Sequence, residues 1–176
     1  MPTEKSGWTS SQRAGIFLKP GDFYFGGANV RIRTLLGSCV ALTMWHPRQR
    51  IGGMSHSLLP SRAWRHPGQV QDGRYLDEAL SLFDVATRRH GTSLVEYHIK
   101  MFGGSEMFPG SAADSSMRVG QRNVDEARRL LERCGLRTVA EHVGGSGERS
   151  IIFELATGRT WFRHRLSNIV DRKLPP

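Results

Sequence analysis

Little in this chain of 176 residues marks a specialised class. Its two cysteines, Cys39 and Cys134, are too few for a disulfide framework. In a reducing compartment both are expected as free thiols. No apolar run is long enough for a transmembrane helix, and the polar residues 1–13 lack the apolar centre of a signal peptide. The expectation is a cytoplasmic protein without membrane insertion. Cys-x-x-Cys and His-Glu-x-x-His spacings are absent, and His46, His66, His90, His98, His142 and His164 show no paired ligand spacing. No metal site is therefore expected. Gly144-Gly145-Ser146-Gly147 lacks the following lysine and helix of a phosphate-binding loop, so it reads as an ordinary loop. Internal repeats and low-complexity tracts are also missing.

What the chain does have is positive charge: a net +9, with an isoelectric point near 10.5. Such a balance points to an acidic partner. The basic residues are scattered among acids and accompany no nucleic-acid-binding signature. An acidic protein surface is the expected partner, and nucleic acid is not.

Hydrophobic periodicity gives an α+β chain. Strands are expected at residues 22–25, 31–36, 39–45, 51–59, 94–102 and 136–143, with a final hairpin around Thr157-Gly158. Leu76, Ala79, Leu80, Phe83 and Ala86 recur at helical spacing, predicting an amphipathic helix over about 75–89 that stops at Gly91. A second helix carries Val124, Ala127, Leu130, Leu131 and Cys134 on one apolar face, which makes Cys134 a core residue. Asn123 with Glu126 resembles its capping box, a start nearer Gly120 being the alternative, and Gly135 reads as its stop. Residues 61–74 and 105–119 read as loops. One domain is expected over residues 16–165, between a flexible arm at 1–15 and a polar tail at 166–176.

Two short runs stand out. Gly37-Ser38-Cys39 precedes an apolar strand, and Gly53-Met54-Ser55-His56-Ser57 lies on the strand expected to return beside it. A thiol near an imidazole suggests a cysteine nucleophile with a histidine base. A histidine-paired thiol is also expected to carry more thiolate at neutral pH than a buried one. The alternative is a core thiol beside a hydrogen-bonded strand histidine. Backbone N–H groups freed at the Gly37-Ser38 turn could donate to an oxyanion. Ser38 is either such a donor or a small turn residue, and Gly103-Gly104 either lines the cleft or simply ends a strand.

Five ordered stretches resemble the CheD family of chemoreceptor glutamine deamidases. They are Leu36-Gly37-Ser38-Cys39-Val40-Ala41, Gly53-Met54-Ser55-His56-Ser57-Leu58-Leu59-Pro60, Lys100-Met101-Phe102-Gly103-Gly104-Ser105-Glu106-Met107-Phe108, Val119-Gly120-Gln121-Arg122-Asn123-Val124 and Ala140-Glu141-His142-Val143-Gly144-Gly145. The resemblance covers roughly residues 18 to 165. It implies a layered α/β sandwich, with a mixed, largely antiparallel sheet covered by two main amphipathic helices. It implies Cys39 as nucleophile, His56 as base and a threonine upstream of the cysteine as third member. Thr34 is the nearest match; a register one residue longer would fall on Arg33, which cannot accept a hydrogen bond. The reaction implied converts glutamine side chains to glutamate through a Cys thioester, releasing ammonia, in chemotaxis adaptation. No cofactor or metal is implied. The implied partners are the cytoplasmic domains of methyl-accepting chemoreceptors and, in some bacteria, the phosphatase CheC. The rivals are another Cys-His amide hydrolase and a non-catalytic chemotaxis binding module.

Overall fold

Strand β4 (Val40–His46) is buried on both faces, and this double burial decides the architecture. Val40, Leu42 and Met44 point to one apolar cluster, and Ala41 points to another. A strand that is apolar on both sides needs a layer on each side. The computed structural model of the chain, which describes residues 14–64, 66–107 and 119–166, supplies both layers. It contains nine strands and two α-helices.

The central five-stranded sheet runs β2 (Phe23–Gly26), β5 (Ile51–Ser55), β4, β6 (His98–Gly103), β7 (Thr138–Val143). Helices α1 (Leu76–Arg89) and α2 (Val119–Arg133) cover one of its faces. Phe83 of α1 is fully buried there against Phe23 and Phe25, in one cluster with Leu80, Val124, Ala127 and Leu131. Burying a side chain of that size stabilises by about 1.5–3 kcal/mol. The other face packs on a four-stranded sheet of β1 (Ala14–Phe17), β3 (Val30–Leu36), β8 (Glu148–Glu154) and β9 (Thr160–Arg165). Ile32, Leu36, Met54, Phe102, Ile151 and Phe153 fill the space between the sheets. The β1–β3 and β6–β7 pairs are parallel and the remaining pairs antiparallel.

The α+β, layered character agrees with expectation, and the strands divide over two sheets rather than one. Alternation along β3 marks one face as buried, but periodicity does not say which sheet receives it. Local differences have local causes. The expected strand at 94–102 opens with a 3-10 turn, Leu94–Glu96, before β6 begins at His98. The strand expected to reach Leu59 stops at Ser55, leaving an isolated Val40–Ser57 bridge. Helix α2 is already helical at Val119, so Asn123 is an interior, fully buried residue instead of its cap. Cys134 is exposed just past the end of α2, not part of the core. Most of the expected arm, the 108–118 part of the expected loop and the tail beyond Leu166 lie outside the described residues.

Candidate functional site

The Val40–Ser57 bridge sets the site. Val40 N–H donates to Ser57 O at 2.9 Å, and Ser57 N–H returns to Val40 O at 2.8 Å. Cys39 and His56 flank this bonded pair diagonally on the opposite face of the sheet. Diagonal neighbours on one face of an antiparallel pair are within reach of each other's side chains. Cys39 packs against the cluster between the sheets, and strand alternation from Met54 aims His56 the same way.

Thr34 arrives from the other sheet. On β3, Ile32, Thr34 and Leu36 point inward while Arg33 and Leu35 are exposed. The register that would have placed Arg33 in the site is therefore excluded by strand alternation. The Thr34 hydroxyl lies 2.8 Å from Leu18 O and 2.8 Å from His56 Nδ1. A hydroxyl has one proton to give. The Leu18 carbonyl can only accept, so Thr34 donates there and accepts from Nδ1–H. This assigns the tautomer: Nδ1 carries the proton and Nε2 carries the lone pair. Nε2 is buried and has no hydrogen-bond partner among the described residues.

The backbone of His56 is held by the segment between β1 and β2. Gly21 N–H donates to His56 O at 2.8 Å, and His56 N–H donates to Asp22 O at 3.0 Å. Burial holds the imidazole below its ordinary value, against the opposing pull of the Leu18 carbonyl and Asp22. Burial likewise pushes the Cys39 thiol up, with its own backbone N–H opposing. Both shifts favour the neutral forms, thiol and imidazole. That reverses the expectation of an enriched thiolate, because the half-buried thiol loses more from desolvation than its surroundings return.

The turn before Cys39 is fastened from three sides. Gly37 O accepts from Ser105 N–H at 2.9 Å, and Cys39 O accepts from Gly104 N–H at 2.8 Å. Ser38 O accepts from the side-chain amide of Asn123 at 3.1 Å. Gly103 and Gly104 both have positive φ, 106° and 67°. A Cβ on Gly103 would lie 2.1 Å from Cys39 O. These two glycines end β6 directly against the backbone of Cys39. Behind Ser105 sits Arg149, only 2% exposed. Its guanidinium donates to Ser105 Oγ, to Gly144 O, and to His142 Nδ1 at 2.8 Å.

Cys39, His56 and Thr34 are thus brought to one place, two of them linked by a hydrogen bond. The sequence reading missed Leu18, Gly21, Asn123, Ser105 and Arg149 as parts of this site. Backbone carbonyls leave no trace in residue type. Asn123 did leave one: it stands four residues before Ala127, on the apolar face of α2. Among the described residues, no cluster of His, Cys, Asp or Glu could hold a metal ion, and no helix is long and apolar enough to cross a membrane.

A family model described as CheD chemotactic sensory transduction matches residues 58–164. A protein of Pseudomonas syringae pv. syringae, named "Probable chemoreceptor glutamine deamidase CheD", is 48% identical over 160 residues, covering 90% of this chain and 89% of its own. A relative of the same name from Pseudomonas savastanoi pv. phaseolicola is 45% identical over the same shares. One from Pyrococcus abyssi is 36% identical over 88% of this chain and 94% of its own.

Proposed function

The chain belongs to the CheD family, and on that premise we propose that it is a cytoplasmic protein-glutamine deamidase acting on bacterial chemoreceptors in chemotaxis adaptation. The observation that carries this reading is the locked tautomer of His56. Its Nε2 lone pair is bare and lies on the same sheet face as the Cys39 thiol.

The chemistry follows from that arrangement. His56 Nε2 takes the Cys39 proton as sulfur attacks the glutamine Cδ. Charge gathers on the amide oxygen, near the N–H of Cys39. The C–N bond then breaks, His56 returns the proton to the departing ammonia, and a thioester remains. Water, deprotonated by His56, attacks the thioester and releases glutamate and the free thiol. The balance is amide plus water to carboxylate plus ammonium, the ammonia taking up the proton that the new carboxylic acid releases. No cofactor enters.

Partners in this reading are receptor cytoplasmic domains and, in bacteria that possess it, the phosphatase CheC. The net charge of +9 would steer the enzyme toward acidic receptor surfaces, an effect that salt weakens. The test is incubation with receptor cytoplasmic fragments followed by peptide mass spectrometry. A gain of about one mass unit at particular glutamines is expected, at a rate that falls as salt rises. Chain cleavage would identify a protease instead, and an unmodified receptor would overturn the reading.

Thr34→Val keeps the shape of the residue and removes the hydroxyl. One neutral hydrogen bond is worth about 1 kcal/mol, so the change should lower turnover by roughly five- to tenfold. Steady-state kinetics on the folded variant check this. Unchanged turnover would remove Thr34 from the catalytic set.

A further inference from the structure

We propose that Asn123 is a positioning residue that sets the oxyanion hole, an inference that rests on the acyl-transfer chemistry proposed above. Asn123 is completely buried on α2. Its Nδ2 donates to Ser38 O at 3.1 Å and to Leu58 O at 2.8 Å. Both amide hydrogens are spent on these carbonyls, which fixes the amide's orientation: turned over, it would place Oδ1 against two carbonyl oxygens. The consequence is that Oδ1 is buried with no partner among the described residues. A leucine would avoid that cost. What the asparagine adds is its two donors.

Those donors act on the peptide that matters. In a planar trans peptide the C=O and the following N–H point in opposite directions. Holding Ser38 O toward α2 therefore turns Cys39 N–H away from α2. No carbonyl among the described residues accepts from that N–H. Gly37 O and Cys39 O, on either side, are held by the backbone amides of Ser105 and Gly104. Of the three fastenings, only the middle one comes from a side chain, and it holds the peptide whose other end is the oxyanion donor. The second bond, to Leu58 O, ties the same amide to the segment just past His56. Nucleophile turn and base strand are thereby fixed relative to each other.

Close approach of α2 makes this reach possible. A Cβ on Gly120 would lie 2.5 Å from Gly104 O and 2.5 Å from Ser105 O. Helix and strand end meet backbone to backbone one turn before Asn123.

The test separates oxyanion chemistry from thiol chemistry, in a Cys134→Ala background so that only Cys39 reacts. Acylation by p-nitrophenyl acetate passes through an oxyanion, whereas alkylation by iodoacetamide does not. A direct oxyanion donor is worth about 10²–10³ in rate; misaligning one should cost somewhat less. Asn123→Leu is expected to slow acylation by roughly 10- to 100-fold and to leave alkylation within about twofold. On a receptor fragment the same loss should appear in kcat, with KM little changed. If Asn123→Leu does not fold, Asn123→Ser, which keeps one donor, carries the same comparison with a smaller loss. Unchanged acylation, or acylation and alkylation falling together, would overturn the proposal. A wild-type protein that is acylated normally but leaves receptors unmodified would instead count against the receptor substrate alone.

Discussion

Cys39→Ala is expected to abolish ammonia release from receptor fragments while the protein keeps its fold. Removing the nucleophile of a nucleophile–base pair typically costs on the order of 10⁴-fold or more, because the remaining groups have no covalent step to assist. The fold should tolerate the change, since the thiol is free and only half-buried. Cys134→Ala, at an exposed position beyond α2, should retain full turnover. Substantial release of ammonia by Cys39→Ala would end the thioester mechanism. A second signature follows from burial. Iodoacetamide at neutral pH should label exposed Cys134 ahead of Cys39. Labelling of Cys39 should climb as pH is raised beyond the ordinary thiol range of about 8.5, since its ionisation is pushed upward. Peptide mapping across a pH series reads both effects.

His56→Ala is expected to lower turnover by about 10²–10⁴-fold, the usual contribution of a positioned acid–base group. The wild-type pH profile should carry the same residue's mark. Only the unprotonated Nε2 can accept the thiol proton, so activity falls when the imidazole ionises. Because burial lowers that ionisation, the neutral fraction at any given pH exceeds that of an ordinary histidine. Activity should therefore persist below about pH 6.5 before it declines. The two measurements check each other. A variant within tenfold of wild type would point to another base. An acid limb that begins well above pH 6.5 would mean that the imidazole is less buried in the working enzyme than in the resting one.

The readable part of this molecule was the part written in side chains that repeat or react. Helix α1 was predicted to within a residue because Leu76, Ala79, Leu80 and Phe83 mark its buried stripe. The Cys39 and His56 strands were legible from small residues beside apolar runs. Thr34 came from the family resemblance alone; its two hydrogen bonds depend on a second sheet that no local pattern announces. The same holds for the division of strands. Inward alternation on β3 is equally consistent with packing on helices or on another sheet. Asn123 was misread as a cap because an asparagine three residues before a glutamate looks like one, although the sequence also allowed the start near Gly120 that the structure adopts to within a residue. Cys134 was misread for the opposite reason: it continues the stripe by spacing, but α2 ends at Arg133, before the stripe reaches it.

The hydrogen bond between Thr34 and His56 crosses from one sheet to the other, and this bears on how small a working fragment could be. A peptide cut to the β4–β5 hairpin and its flanks would contain both the sulfur and the imidazole. It would lack what decides which ring nitrogen is bare, and the ring would turn freely and divide between tautomers. Restoring the missing hydroxyl means restoring β3. That strand in turn is held between β1 and β8, and the carbonyl that accepts the hydroxyl's hydrogen bond belongs to the segment just past β1. Nucleophile and base are neighbours in the chain, but the setting of the base draws on strands from both ends of it. The catalytic unit is therefore indivisible: trimming either sheet disarms the other.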